Sequence, residues 1–243
     1  MLEKVDLKKK LPKAEYKRRL PDLQNRLFYL QKACWQASIG TLIVFEGWDA
    51  AGKGTTITTL TERLEPRGFQ LHAIRAPRTH EKLMPWLWRF WQRVPGYGDV
   101  AIFDRSWYGR VLVERVEKLT PRRRWKRAFD DIVAFERALS DDGYLILKFL
   151  LHISKQEQKR RFQALEQDPL LEWKVEDEDW EHHRNYDRYA KAYEEMLERT
   201  GTEWAPWTIV EATDLRWARV KVFETIIRGM EEALPAQRRA GRA

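Results

Sequence analysis

The chain has 243 residues, 43% of them apolar, enough for one sizeable core with an appendage and too little for two complete enzymes. Its formal net charge of +8 favours polyanionic partners, but 37 acidic residues stand against 45 basic ones, so only local clusters set the sign of the surface. A single Cys34 excludes an internal disulfide, the lysine-rich start carries no apolar signal, and the longest apolar run, 144–153, is interrupted by Lys148; together these predict a cytoplasmic chain without a membrane span.

Residues 14–38 repeat Leu20, Leu23, Leu27, Leu30 and Cys34 at helical spacing, which predicts an N-terminal helical extension over 1–40, with Pro21 opening the helix. It packs on the sheet or on another subunit. The apolar run 41–46 then predicts a strand that ends in Gly47-Trp48-Asp49-Ala50-Ala51-Gly52-Lys53-Gly54-Thr55 and hands over to a helix at 54–65. Glycines after a strand let successive backbone N–H groups turn inward toward an anion at a helix N-terminus, and Lys53 adds a full charge. Gly47, Ala50, Ala51, Gly52, Gly54 and Thr55 are therefore the expected phosphate cradle. The position after the lysine, which normally carries a magnesium-binding hydroxyl, is Gly54, while Asp49 sits within the loop. A bare carboxylate beside phosphates repels them unless a divalent cation intervenes, so Asp49 reads as a magnesium-facing or acceptor-facing group.

A second strand at 69–74 delivers Arg75, Arg78 and Thr79 to the same sheet edge, followed by a helix at 80–93. The third strand, 100–104, is apolar throughout and ends in Asp104-Arg105, where an acid can hold magnesium and an arginine can meet a phosphoryl group in flight. Helices are expected at 107–118, with Arg110 and Arg115, and at 121–140 before a fourth strand at 144–152. Between this and a fifth strand at 207–212, residues 154–199 carry a basic helix (154–166), Lys174 and an acidic, aromatic helix (177–199). Such a segment reads as a lid bringing Arg160, Arg161 and Lys174 over a transferring phosphoryl group and excluding water. A final helix spans 214–233, and the five histidines, lacking metal-ligand spacing, read as surface residues. The alternation predicts an α/β fold, a five-stranded parallel sheet flanked by helices in one domain over 1–243.

The Gly47–Gly54 loop, Asp104-Arg105-Ser106-Trp107-Tyr108, Glu172-Trp173-Lys174 and Ala205-Pro206-Trp207 resemble the polyphosphate kinase 2 family from about Leu20 to Met230. The resemblance implies a P-loop kinase fold, magnesium, with manganese able to substitute, and phosphoryl transfer between inorganic polyphosphate and a nucleotide by a homo-oligomer. Tyr108-Gly109-Arg110-Val111-Leu112-Val113-Glu114 is similar to the branch converting AMP to ADP, with ADP to ATP as a further step and GMP and GDP as further acceptors. In that scheme Asp49, Lys53, Asp104 and Arg105 are catalytic, and Arg110 or Arg115 joins Arg160, Arg161 and Lys174 on the polyphosphate. Arg78 after Ala76-Pro77 and Asn185-Tyr186 in the lid depart from common family sequence. Two other readings remain open: an ATP-dependent nucleoside monophosphate kinase, which shares the cradle, and a non-catalytic binder of RNA or another polyanion. A binder has no need of Asp49 and Asp104, so nucleic acid is not the expected partner, nor is a membrane.

Overall fold

The computed structural model describes residues 1–240, with side chains described through 234; residues 241–243, the end of the expected domain, lie outside the described residues. Strands β1 (Thr41–Gly47), β2 (Phe69–Ala73), β3 (Val100–Asp104), β4 (Leu145–His152) and β5 (Trp207–Glu211) form one parallel sheet in the order β2-β3-β1-β4-β5. All five expected strands are present. Register places Thr41 opposite Val100 on one side and Leu145 on the other, so the ends of β1, β3 and β4 come level at one edge. Every residue of β1 is buried, Glu46 among them, as befits a central strand covered on both faces. β2, at the edge, has no fully buried residue: Phe69 and His72 are half-buried and Gln70, Leu71 and Ala73 exposed.

Helix α1 (Lys13–Gln36) packs along α9 (Leu215–Ala240). Pro21 does not open α1; the helix starts eight residues earlier, after Pro12, and Pro21 lies inside it. The missing N–H costs one helical bond, and the buried face of Leu27 and Cys34 against the core carries the helix through. Helix α2 (Lys53–Thr61) follows the loop as expected. The helix expected at 80–93 is broken: a 3₁₀ turn (Glu81–Leu83) and one turn of α3 (Trp88–Trp91) flank Pro85, which forces Met84 into extended backbone at φ −107° and ψ 161°.

The segment expected as a helix at 107–118 divides too. A 3₁₀ turn, Trp107–Arg110, is capped by Ser106, whose hydroxyl accepts from the Tyr108 N–H. Leu112 then leaves the helical region before the short α4 (Val113–Val116). The cause is burial, for Trp107 and Tyr108 both turn inward onto the Glu136 carboxylate. Helices α5 (Arg122–Asp141) and α6 (Lys155–Glu166) match expectation, while the acidic lid helix is two, α7 (Asp177–Arg184) and α8 (Tyr186–Thr200), meeting at Asn185. Among the described residues no helix is long and apolar enough to cross a membrane.

Candidate active site

Where β1 ends, the backbone must turn beside β4. A Cβ on Gly47, whose φ is +135°, would stand 2.3 Å from the Leu151 carbonyl oxygen, so only glycine leaves the strand here. Ala50 (φ 57°) and Gly52 (φ 97°) continue the loop in left-handed conformations and deliver the chain to α2. Lys53 is buried, and its Nζ donates to the Gly47 carbonyl at 2.8 Å and the Trp48 carbonyl at 3.0 Å. At Gly54 no heavy atom lies within 4 Å of where a Cβ would sit.

Asp49 is held from both sides. Arg105 donates to its Oδ1 at 2.8 Å, and His182 Nδ1 lies 2.8 Å from its Oδ2. Burial alone would raise the Asp49 pKa, but the His182 hydrogen bond and the charges of Lys53 and Arg105 outweigh it and hold the carboxyl well below its usual range. Asp104, half-buried at the end of β3, makes no hydrogen bond or ion pair through its carboxylate among the described residues. No cluster of three or more His, Cys, Asp or Glu side chains among the described residues could hold a metal alone. A divalent cation here would draw one or two carboxylate oxygens from the chain and the rest from phosphates and water, the manner in which Mg2+ is bound. The donor set fits that ion.

A cleft of about 1240 Å³ opens over these groups. Of the residues singled out from sequence, Asp49, Ala50, Gly52, Lys53, Gly54, Thr55, Arg75, Asp104, Arg105, Arg160, Arg161 and Lys174 line it. Strand ends from across the sheet thus meet at one edge, where open parallel sheets bind ligands. Arg161 is committed to the frame: it donates to the carbonyls of Ala50 at 2.8 Å, Ala212 at 2.7 Å and Thr213 at 3.0 Å, tying the loop to the end of β5. Arg160 pairs with Glu157 and stays largely exposed, and Lys174 lies on the Trp173 ring.

Gly47 and Ala51 form the loop's floor rather than its lining, and Arg78, Thr79, Arg110 and Arg115 stand off the cleft. Arg110 pairs with Glu114 at 2.7 Å and lies over the Trp86 ring; Arg115 pairs with Glu195 at 2.7 Å and stacks on Trp125. Two groups escaped the sequence reading. Asp214 and Arg216 line the cleft just beyond β5, where the same strand-end rule would have found them. The assignment of all histidines to the surface needs correction: His152 accepts from Trp48 Nε1 at 2.8 Å, His182 bonds Asp49, and both are buried. No local spacing announces them, because their partners lie 104 and 133 residues away.

Behind the loop, Glu46 is buried and accepts from Ser106 Oγ at 2.8 Å. Burial pushes its pKa up to about 7, against the opposing Ser106 hydrogen bond and the charges of Lys53 and Arg105. The folded chain therefore binds a proton that the unfolded chain loses near 4.5, and stability declines as pH rises between those values. Glu46→Gln keeps an acceptor for Ser106 and removes the charge. Its stability relative to wild type is expected to rise by on the order of 3 kcal/mol between pH 4.5 and 8, read by urea unfolding at both pH values.

A family model, Polyphosphate kinase 2 (PPK2), matches residues 10–238. The chain belongs to the polyphosphate kinase 2 family. It is 43% identical over 233 residues to the polyphosphate:AMP phosphotransferase of Pseudomonas syringae pv. tomato, covering 96% of this chain and 47% of that one. A solved Pseudomonas aeruginosa chain assigned to polyphosphate kinase 2 matches with a TM-score of 0.93 at 44% identity, over 96% of this chain and 50% of that one. Polyphosphate kinase 2 from Arthrobacter aurescens TC1 gives 0.91 at 33% identity, over 96% and 85%. The chain spans about half the length of these two Pseudomonas chains. The family assignment and the P-loop α/β architecture expected from sequence both hold.

Proposed function

We propose that the chain is a polyphosphate-dependent nucleotide phosphotransferase that converts AMP to ADP, with ADP to ATP as a second acceptor step. One observation carries the reading: a phosphate loop with its lysine and two carboxylates, Asp49 and Asp104, converges with arginines from other strand ends on a single cleft. The name of the Pseudomonas syringae relative supports AMP as acceptor and polyphosphate as donor.

In the proposed reaction an α-phosphate oxygen of AMP attacks the terminal phosphorus of polyphosphate. A new P–O–P bridge forms, the terminal anhydride bond breaks, and polyphosphate departs one phosphate shorter. The loop amides and Lys53 cradle nucleotide phosphate, and Arg105 meets the transferring group. Asp104 and Asp49 would hold magnesium, or manganese in its place, whose chemistry is to neutralise charge spread over the phosphoryl oxygens. Arg75, Arg160, Lys174 and Arg216 line the same cleft, and we assign the donor chain to them. Arg110 and Arg115 stand off the cleft, each paired with a carboxylate, and are not assigned to the donor. Such catalysis rests on positioning and charge compensation and needs no covalent enzyme intermediate. We place the reaction in the cytoplasm and in a homo-oligomer.

Incubation with AMP, polyphosphate and Mg2+ in the absence of ATP is expected to accumulate ADP, read by chromatography of the nucleotides. ADP formation that instead requires ATP, with polyphosphate inert, would favour a conventional monophosphate kinase on the same cradle.

A further inference from the structure

His182 belongs to α7 and reaches the phosphate loop from 133 residues away. Its side chain is 8% exposed. Nδ1 lies 2.8 Å from Asp49 Oδ2, while Nε2 is buried with no hydrogen-bond partner among the described residues and stands 3.6 Å from Glu178 Oε1, too far for a hydrogen bond. Leaving one ring nitrogen unsatisfied costs stability, and the hydrogen bond obtained in return is the one to the loop carboxylate.

A carboxylate offers about four lone-pair directions on its two oxygens. Arg105, from the end of β3, takes one on Oδ1, and His182, from α7, takes one on Oδ2. Two donors on different oxygens fix both the plane and the roll of the group and leave the other directions for a ligand. Partners that orient a ligating carboxylate in this way tune metal affinity without touching the metal.

The lid reaches the loop by other contacts as well. Gln158 Nε2 donates to the Asp49 carbonyl at 3.3 Å, His183 Nδ1 meets Gln158 Oε1 at 2.9 Å, and Tyr186, at the start of α8, stacks on Trp48 at 3.8 Å. These contacts and the Arg161 clamp hold α6 and α8 in place without His182. The imidazole adds nothing to that attachment that the others lack, except a hold on the Asp49 side chain itself.

We propose that His182 is a positioning residue for phosphoryl transfer. Carried by the lid, it sets the Asp49 carboxylate in the orientation that faces the cation and the phosphates, so the loop acid is aligned only when α7 lies over it. The inference rests on the reading of Asp49 as a metal-facing acid.

The test is Mn2+ binding, followed by the electron paramagnetic resonance signal of the free ion, on AMP-loaded protein without polyphosphate. Wild type is compared with His182→Asn, His182→Gln and His182→Ala. The amide nitrogen of asparagine reaches the place of imidazole Nδ1, whereas that of glutamine reaches toward the place of Nε2. Ala and Gln are expected to weaken Mn2+ binding by about tenfold or more and to lower kcat with KM for AMP little changed, while Asn retains most of both. Ala binding Mn2+ as wild type does, or Asn and Gln behaving alike, overturns the role of His182 and leaves the metal reading standing. Wild type that binds no Mn2+ overturns the metal reading, and this inference with it.

Discussion

Lys53→Met lowers kcat by about 10²–10³-fold and leaves the fold intact. The lysine head group lies at the start of α2, buried, and is held by the Gly47 and Trp48 carbonyls. Those carbonyls are neutral acceptors, and incoming phosphate oxygens carry full negative charge, so the ammonium exchanges weaker partners for stronger ones when the cradle fills. Transfer of a phosphoryl group gives the protein little covalent chemistry to perform, and removing one preorganised charge-stabilising donor costs roughly two to three orders of magnitude. Methionine keeps the buried stem, and the Trp48 carbonyl still accepts from the Ala51 N–H at 3.1 Å. Steady-state assays with AMP and polyphosphate, beside a thermal melt by circular dichroism, check both halves. Activity within tenfold of wild type would remove Lys53 from the reaction.

Lys148→Met destabilises the chain by about 3–5 kcal/mol, the cost of stranding one partner of a buried ion pair. Lys148 Nζ lies 2.7 Å from Glu136 Oε2, and both side chains are fully buried. Burial pushes the Glu136 carboxyl up and the Lys148 amine down, and their mutual attraction works against both shifts. Lys148 also donates to Tyr108 Oη at 2.9 Å and to the Thr200 carbonyl at 2.8 Å, while Glu136 accepts from Trp107 Nε1 at 3.0 Å. The network pins the turn just behind Arg105 to α5, β4 and the end of α8. Urea unfolding measures the loss, and the thermal midpoint should drop by roughly 6–20 °C for a chain of this length. Adding Glu136→Gln recovers part of the loss, since no bare charge then remains while Trp107 and Tyr108 keep an acceptor.

Much of this molecule is legible in one dimension because its ligand edge is built from strand ends. An apolar run followed by Gly47-Trp48-Asp49, or by Asp104-Arg105, announces both a buried strand and what it carries to the cleft. Broken helices were less visible: Pro85 could have been weighed against the 80–93 pattern, whereas the bend at Leu112 depends on Trp107 and Tyr108 finding a carboxylate on α5. Glu114, four residues after Arg110, already offered a local partner on the expected helix, whereas nothing local shows that Glu195 claims Arg115. His182 was hidden for the same reason, its meaning residing in a carboxylate that only the folded chain brings within reach.

Gly54 separates steric necessity from chemical choice. A serine side chain would meet no neighbour there within van der Waals range of its first carbon, so packing does not dictate the glycine. The position is a natural place to graft the hydroxyl that most phosphate loops carry. Such a graft would leave the scaffold untouched and ask whether a chain that already fields two acids gains anything from a third oxygen, or is crowded by it.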